Sequence, residues 1–510
     1  GGALPGVSII VVNLNTGVVR EGTTNGQGLF NLPGLEPGTY SITTTLPGFA
    51  TETRDGVALG INQTLSLDMT MSLAGLAETV TVTGEAPLIE VTQSTVATSI
   101  EATELVNTPL VNRTIAGMLN LLPGATPVAA LHRSKLNAGT TSFAGSAGGN
   151  MSGTVDGADN RDNHYGGPLL SFTTEAIEQF QLSTTQFNAT DGRASGAALS
   201  LVTKSGTNTL RGSAFLYERD EALTAKDFFT KESNAEKVPF SRQTYGGSIG
   251  GPLVQNRVFF FGAAEQMKEK TGIAVPQSNF DAIERMIALV DAGQLPEDQV
   301  YRKHSNFLAT DAALRMMSVK VNAQVSNSQS LSYRWAYQND ERDNALASVS
   351  NDGREIEDIK LTAWSGVAQH SLVMGNRGLN QMTFQSSHVP YVSNSINRNT
   401  GLEYTKDFPN VDIFPNSIEF PGVTSGGAGS SGSRSDRWVI QFRDDVSMLV
   451  GSHSFRTGVD YKHLPGLGLE NGNEQFATYT FFDDPGVILN NTNGLYPQGL
   501  QTPGALSGWS

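Results

Sequence analysis

The sequence predicts a mainly β protein in three parts: an N-terminal β-sandwich, an α+β domain, and the first strands of an incomplete antiparallel transmembrane β-barrel. Three observations predict this fold class. Short strands separated by turns fill about the first 70 residues, mixed helix and strand signals follow, and strands of alternating polarity occupy the second half. The predicted division is residues 1–75, a linker at 76–89, residues 90–207 and residues 208–510.

The composition of the 510-residue chain excludes several classes of protein. Acidic side chains outnumber basic ones 49 to 34, so the chain lacks the basic surface that nucleic acid requires. Cysteine is absent, which excludes disulfides and cysteine nucleophiles. No apolar run reaches the ~18 residues of a membrane helix, whereas a membrane barrel needs apolar residues only at alternate positions. We expect the chain to be a fragment at both ends, since it begins without a signal peptide and ends without a terminating element.

The first part shows the strand and turn signals of a small sandwich. Strands are expected at 7–12, 18–23 and 39–45, and residues 65–72 alternate apolar with polar side chains, which predicts a strand with one buried face. The turn sequences resemble those of the carboxypeptidase regulatory-like (transthyretin-like) domain, and the resemblance implies an accessory module without chemistry. The matching stretches are Leu4-Pro5-Gly6-Val7, Thr24-Asn25-Gly26-Gln27-Gly28 and Leu35-Glu36-Pro37-Gly38-Thr39-Tyr40.

An extended, β-branched segment follows the sandwich. Its residues Glu78, Thr79, Val80, Thr81 and Val82 resemble a TonB box, the periplasmic peptide of TonB-dependent outer-membrane receptors. Such a peptide can add as a strand to the sheet edge of a partner, because main-chain hydrogen bonds supply the contact without a unique sequence. Two interpretations stay open: a TonB box that binds TonB, or the last strand of the sandwich.

Residues 90–207 combine helix and strand signals. Apolar spacing predicts one helix after Asn112 and another through 176–180, capped by Thr173 or Thr174. Parts of this region resemble successive pieces of the plug of TonB-dependent receptors. Together with the sandwich, they make the chain similar to the Oar-like subgroup. The matching stretches are 151–160, 176–180, 191–196 and 202–208.

The plug resemblance gives one candidate contact residue. Arg193 lies in a Gly-Arg motif, and the resemblance implies that it pairs with an acidic residue of the barrel wall; the alternative is an ordinary surface arginine. A nearby acidic cluster lacks the order of a calcium-binding EF-hand loop, so no metal site is predicted there. Its members are Asp156, Asp159, Asn160, Asp162 and Asn163.

Periodicity and link lengths predict the barrel half. Odd positions of 317–325 are apolar and even positions are polar, as expected of a wall between lipid and a wet lumen. Short and long links alternate between the predicted strands, which is the outer-membrane pattern of short periplasmic turns and long extracellular loops. The nine predicted strands, with a tenth possible at 476–482, are 210–219, 241–250, 257–267, 315–325, 329–339, 360–372, 378–388, 436–450 and 453–463.

No motif indicates catalysis. Residues 246–250 match a nucleophile elbow, but a proline and another strand follow where a helix is required. Residues 427–432 match a dinucleotide-binding glycine motif, but they lie in a loop before a strand. The seven histidines show no metal-ligand spacing. The sequence therefore predicts no enzyme, no catalytic residues and no cofactor.

The resemblance implies a function as well as a fold. It implies a receptor in the Gram-negative outer membrane, with its sandwich in the periplasm, that takes up a ligand by energised movement of the plug. The implied partners are TonB, outer-membrane lipid and an extracellular ligand that the sequence does not identify. The alternative is a surface adhesin or assembly protein that binds partners without transport.

Overall fold

The computed structural model describes most of the chain, and the statements below concern the residues it describes. No helix among them combines the length and the apolar character needed to cross a membrane. These residues are 2–74, 79–83, 96–101, 104, 107–108, 115–128, 140–143, 151–163, 167–185, 192, 194–226, 228–232, 237–275, 277–295, 300–303, 307–345, 355–376, 378–397, 402–403, 417–426, 433–450, 453–466, 469–471 and 478–501.

The N-terminal part contains a five-stranded sheet in the order β2-β1-β3-β4-β5. All neighbours pair antiparallel except β4 and β5, which are parallel. Alternate side chains of β1 are buried, so Ile9 and Val11 pack with Tyr40, Ile42 and Val57 in one apolar core. The strands are β1 (Ser8–Asn13), β2 (Val19–Thr23), β3 (Gly38–Thr45), β4 (Thr51–Leu59) and β5 (Thr79–Thr83).

The strand predicted at 65–72 is wrong as regular structure, although its alternation has a cause. Leu65, Leu67, Met69 and Met71 all pack against the core of the sheet, but the segment joins no ladder. An extended chain also points alternate side chains to one side, so polarity alone does not report whether its backbone is paired.

The second part, here named the inner domain, comprises the described residues between 96 and 203. Its main sheet has the order β10-β9-β12-β11-β6, with β9 and β12 parallel. A short α-helix, α1 (Ile115–Leu119), forms where the helix after Asn112 was predicted, although Asn112 itself lies outside the described residues. The strands are β6 (Val96–Glu101), β7 (Ala125–Val128), β8 (Thr140–Phe143), β9 (Met151–Val155), β10 (Ala158–Asp159), β11 (Ile177–Thr185) and β12 (Ala197–Thr203).

The helix predicted through 176–180 is wrong. Thr173 does cap a turn, but the turn is a single 3₁₀ turn (Thr174–Ala176), and the chain then enters β11. The register of β11 shifts between Ile177 and Gln179, which marks a bulge. A bulge brings Ile177 and Phe180, three residues apart, into the same core, so their spacing imitates a helical turn.

The third part is a long antiparallel sheet, here named the wall. Its main path is β13-β14-β15-β18-β19-β20-β21-β25-β26, nine strands that all overlap the nine predicted ones. The possible tenth strand at 476–482 is not part of the wall: β28 pairs with β23 in an outer loop. The strands are β13 (Arg211–Asp220), β14 (Ser241–Val254), β15 (Val258–Lys270), β16 (Gly272–Ala274), β17 (Phe307–Ala309), β18 (Ala312–Ser326), β19 (Gln329–Arg342), β20 (Glu355–Met374), β21 (Gly378–Asn397), β22 (Leu402–Glu403), β23 (Ser417–Phe420), β24 (Val423–Gly426), β25 (Ser433–Val450), β26 (His453–His463), β27 (Leu469–Asn471) and β28 (Thr478–Thr480).

The two rims of the wall differ as predicted. Short turns join β14 to β15, β18 to β19, β20 to β21 and β25 to β26, whereas long segments join the other consecutive wall strands. The alternation of faces is also confirmed: Met317 and Val319 are exposed on one face of β18, and Ser318 and Lys320 are buried on the other. The wall therefore has an apolar outward face and a polar inward face.

Three segments beyond the long-loop rim share one apolar core and are here named the outer cap: 277–291, 417–426 and 478–501. Met286 and Leu289 pack there with Phe420 and Ile488, and β23 pairs in parallel with β28. The described residues of the long loops contain three helices, none of which the sequence analysis predicted. They are α2 (Phe228–Glu232), α3 (Gln277–Asp291) and α4 (Pro485–Asn490), with 3₁₀ turns at Glu221–Leu223 and Gly499–Gln501.

Candidate functional site between the inner domain and the wall

The inner domain packs against the inward face of the wall. Apolar inward side chains from β19, β20, β21 and β25 belong to the same core as the inner-domain strands. Because inward positions alternate with outward ones, these residues face the inner domain while their neighbours face away. The wall residues of this core are Ala336, Leu361, Ala363, Val389 and Val439.

Asp156 is a buried acidic residue of this interface, and two wall cations contact it. It lies in the turn between β9 and β10 with φ of 48°, and its side chain is buried. Thr203 donates its backbone N–H to Asp156 Oδ1 over 3.0 Å and its hydroxyl to Oδ2 over 2.8 Å. Lys320 Nζ of the wall lies 3.1 Å from Oδ1, and Arg334 Nε lies 2.8 Å from Oδ2.

The two wall cations explain why an acid is needed at this position. Lys320 and Arg334 are direct neighbours on β18 and β19, and both are buried. Like charges side by side on one face of a sheet repel, and Asp156 lies within ion-pair distance of both. Burial by itself raises the pKa of Asp156, but Lys320, Arg334 and the hydrogen bonds from Thr203 outweigh burial and hold the pKa below its ordinary value.

Two further inner-domain carboxylates pair with other wall strands. Asp162 forms an ion pair with Arg437 of β25, and both side chains are almost completely enclosed. Asp159 Oδ2 lies 3.0 Å from Lys462 Nζ of β26. Three carboxylates of one short segment therefore contact cations on four strands, and Asp156 serves two of these cations.

Wall glutamines form a second kind of contact, because they bind the main chain of the inner domain. Gln369 Nε2 donates to the carbonyl of Asp156 over 2.6 Å, and Gln385 Nε2 donates to the carbonyl of Asp159 over 2.8 Å. The Asp159 backbone N–H donates to Gln441 Oε1 over 2.9 Å. These hydrogen bonds involve backbone atoms of the acidic segment. They therefore hold the segment in position against the wall without depending on its side chains.

The predicted site residues fall in two places. Arg193 and Glu78 lie outside the described residues. Thr79 to Val82 belong to β5, the edge strand of the sandwich sheet, where each residue pairs with one of β4. The sequence analysis considered the acidic segment only as a metal site, and predicted none. In the structure this segment faces the wall cations. The polarity of the described contacts, with acids on the inner domain and cations on the wall, is opposite to the one inferred for Arg193.

Sequence reasoning assigned no role to the wall cations. Lys320 and Arg334 stand at polar, inward positions of the predicted strands, so their direction was available from the alternation. A buried cation in such a strand requires an acidic partner across the lumen. The inward direction of Lys320 and Arg334 is therefore the signal that could have predicted a pairing with acidic residues of the inner domain.

The sandwich lies against the short-turn rim of the wall. Arg20 Nη1 donates to the carbonyl of Asn327 in the turn between β18 and β19 over 2.6 Å. Asn376 Nδ2, in the turn between β20 and β21, donates to the carbonyl of Thr23 over 2.8 Å. The short-turn rim of an outer-membrane barrel is periplasmic, so the sandwich is on the periplasmic side.

These features define an outer-membrane β-barrel protein with an inner domain against its wall. The family model described as "Outer membrane beta barrel domain" matches residues 202–286 and 271–495, and the chain belongs to this family. The model described as "Carboxypeptidase regulatory-like domain" matches residues 1–72. The predicted location in the Gram-negative outer membrane is confirmed.

The comparisons with individual proteins agree with the predicted resemblance to TonB-dependent receptors. The chain is 23% identical over 274 residues to the TonB-dependent transporter Oar of Myxococcus xanthus, a match that covers 50% of this chain and 25% of the relative. The outer membrane transporter YddB of Escherichia coli has a similar fold, with a TM-score of 0.53, 11% identity, and coverage of 76% of this chain and 50% of that one. FpvA of P. aeruginosa, solved with bound pyoverdines, gives a TM-score of 0.44 at 12% identity, over 75% of this chain and 54% of that one.

The chain covers only part of each of these proteins. The chain spans about half the length of the solved relatives, and the Oar match covers a quarter of that protein. The Oar relative is a transporter, in agreement with the prediction that the chain is not an enzyme.

Proposed function

We propose that the protein is a TonB-dependent transporter that takes up an extracellular ligand by energised movement of the inner domain, which serves as its plug. Residues 78–82 are the TonB box. Resemblance to the Oar transporter supports the class, and the charged interface between the inner domain and the wall supports the mechanism.

The observation that carries this proposal is the set of ion pairs made by Asp156, Asp159 and Asp162. The interface also contains an apolar core, and separating that core would expose apolar surface to water at a cost in free energy. Charged groups regain hydration when they separate, and hydration offsets much of the lost attraction. The interface therefore combines a defined resting position with a route to separation under force.

The proposed cycle follows from this arrangement. A ligand binds on the side of the long loops, and TonB binds residues 78–82 on the side of the sandwich. Tension on that segment reaches the inner domain, whose first described strand begins at Val96, and shifts the acidic segment from the wall cations. Separation there opens a path between the inner domain and the wall.

The test is deletion of residues 78–82 in the full-length protein. Culture medium is compared by mass spectrometry after growth of cells carrying the wild type, the deletion or no receptor. We expect compounds that only wild-type cells deplete, together with retention of those compounds by both purified proteins. Equal depletion by wild type and deletion would contradict transport through this segment. Binding by both proteins without depletion by either would favour the adhesin alternative.

A further inference from the structure

The sandwich contacts three consecutive short turns of the wall. Arg20 and Asn376 make two of these contacts, at the turns after β18 and β20. The third contact is at the turn after β14, where Asn256 donates its backbone N–H to Asn208 Oδ1 over 2.8 Å. Asn208 Nδ2 in turn donates to the carbonyl of Thr16 in the sandwich over 2.6 Å. The sandwich therefore lies along the rim and is not attached at a single turn.

The sandwich also contacts the inner domain. The backbone N–H of Ile61 donates to Gln179 Oε1 over 2.7 Å, and both residues are buried. Next to this contact, Asn62 Nδ2 donates to Gln181 Oε1 over 3.2 Å. Both glutamines belong to β11, which lies between β12 and β6 in the main sheet of the inner domain. The sandwich therefore contacts both of the parts that the proposed function requires to separate.

Asn322 of the wall joins all three parts at one point. It lies on β18, its side chain is buried, and it faces inward because it has the same parity as Lys320. Its Nδ2 donates to Glu36 Oε1 of the sandwich over 3.1 Å. Its Oδ1 accepts a hydrogen bond from Ser205 Oγ, just after β12 of the inner domain, over 3.3 Å. The sandwich therefore reaches past the rim to the inward face of the wall.

We propose that the sandwich is an interlock. While it is docked on the short turns it holds the inner domain on the wall, and it leaves the rim before the inner domain moves. A body that contacts two parts must release one of them before those parts can separate. The hydrogen bonds of the sandwich suit reversible docking, because water replaces them on separation and each adds little net stability.

The order of release follows from where the force enters, and in this respect the inference rests on the proposed function. The segment on which TonB pulls includes β5, which is paired with β4 of the sandwich. The first described strand of the inner domain begins only at Val96. Tension therefore reaches the sandwich before it reaches the inner domain.

The absence of cysteine makes a direct test possible. Thr23 Oγ1 of the sandwich and Asn376 Nδ2 of the wall turn lie 3.3 Å apart. The double substitution Thr23→Cys with Asn376→Cys therefore places two thiols within reach of a short bismaleimide, and a disulfide in its spacer makes the cross-link reversible by reductant. Thr43→Cys with Thr53→Cys is the matched control, because its hydroxyl oxygens also lie 3.3 Å apart but both strands belong to the sandwich.

The measurement is the rate of protease cleavage in the inner domain of the purified full-length receptor under native conditions, where the rate follows the open fraction. We expect the sandwich–wall cross-link to slow cleavage about tenfold relative to the same protein after reduction, because the bonds to Gln179 and Gln181 must then break while the sandwich is held in place. A slowing no greater than that of the control would overturn the proposal. Failure of this cross-link to form while the control forms would also overturn it.

The substitution Gln179→Ala tests whether the hold runs through β11. It removes the acceptor of the Ile61 N–H, so we expect the cross-link to slow cleavage much less in this background than in the parent. The comparison is the ratio of rates before and after reduction within each protein, which cancels any general loosening caused by the substitution. An undiminished ratio would show that the sandwich does not hold the inner domain through this contact.

A cellular experiment distinguishes this inference from the proposed function. Cells with the cross-linked receptor and cells with the deletion of residues 78–82 are compared for depletion of the compounds that wild-type cells remove from the medium. We expect both to stop depletion, and reductant to restore it only after cross-linking. If the deletion leaves depletion unchanged, the proposed function is wrong, whereas slowed cleavage in the cross-linked protein still supports the interlock. If the deletion stops depletion but the cross-link changes neither depletion nor cleavage, only the interlock is wrong.

Discussion

Asp156 shows how one side chain connects the three strands that surround it. Its carboxylate accepts two hydrogen bonds from Thr203 and neutralises Lys320 and Arg334. A buried ion pair adds little net stability relative to an apolar replacement, but loss of one partner leaves an uncompensated charge. Removal of Asp156 would therefore destabilise the interface mainly because Lys320 and Arg334 would stay buried without a counter-charge.

The substitution Asp156→Asn should loosen the inner domain. Two buried cations would remain side by side without an acid, so we expect a loss of about 3–5 kcal/mol in the free energy that holds the domain on the wall. Urea-dependent protease cleavage of the inner domain in purified protein measures this loss. Asp445→Asn is the control, because Asp445 pairs with Arg443 within β25 and is partly exposed. Equal effects of the two substitutions would contradict the assignment.

The pH dependence of the interface follows from the lowered pKa of Asp156. A carboxyl whose pKa is lower in the folded state stabilises that state above its unfolded pKa of about 3.9, and the stabilisation is lost as pH falls through the folded value. Protease sensitivity of the inner domain should therefore rise below about pH 4 in the wild type. The variant Asp156→Asn lacks the ionisable carboxyl, so its protease sensitivity should rise less on acidification. An acid response equal to that of the wild type would contradict the role of Asp156 in the pH dependence.

At the scale of elements, the wall strands were predictable and the inner domain was only partly so. Alternation is a local property of sequence, and the face of every residue in β18 follows from it. The strand β11 was missed because a bulge places Ile177 and Phe180 in one core at a helical spacing. Pairing of Asp156 with Lys320 spans 164 positions, so no local pattern contains it.

The depth of a residue on the outward face of β18 should decide its tolerance of charge. Val319 lies near the middle of the strand and Val325 next to the short turn, both on the exposed face. Val319→Lys should cost ~2–4 kcal/mol in lipid, and Val325→Lys ~1 kcal/mol or less. Urea unfolding of the full-length protein in lipid vesicles measures both. Similar costs at the two positions would contradict the assignment of this face to lipid.

At the scale of the whole molecule, the sandwich meets its neighbours through polar contacts, whereas an apolar core holds the outer cap together. The sandwich contacts the wall through hydrogen bonds such as those of Arg20 and Asn376, and the inner domain through Gln179. The outer cap instead joins three distant segments through buried apolar side chains. We infer that the cap behaves as one unit above the long-loop rim.

The outer cap should therefore loosen as a unit when its core is damaged. Met286 lies on α3 and is fully buried against the other two segments. The substitution Met286→Ala should lower the free energy of unfolding by about 2–5 kcal/mol through lost contacts and a cavity. Its sequence neighbour Arg285 pairs with Asp484 over 2.7 Å in a partly exposed position, so Arg285→Ala should cost only about 0.2–1 kcal/mol. Hydrogen exchange should accelerate together in 277–291, 417–426 and 478–501 for Met286→Ala. Acceleration confined to 277–291, or equal effects of the two substitutions, would show that the three segments do not depend on a common core.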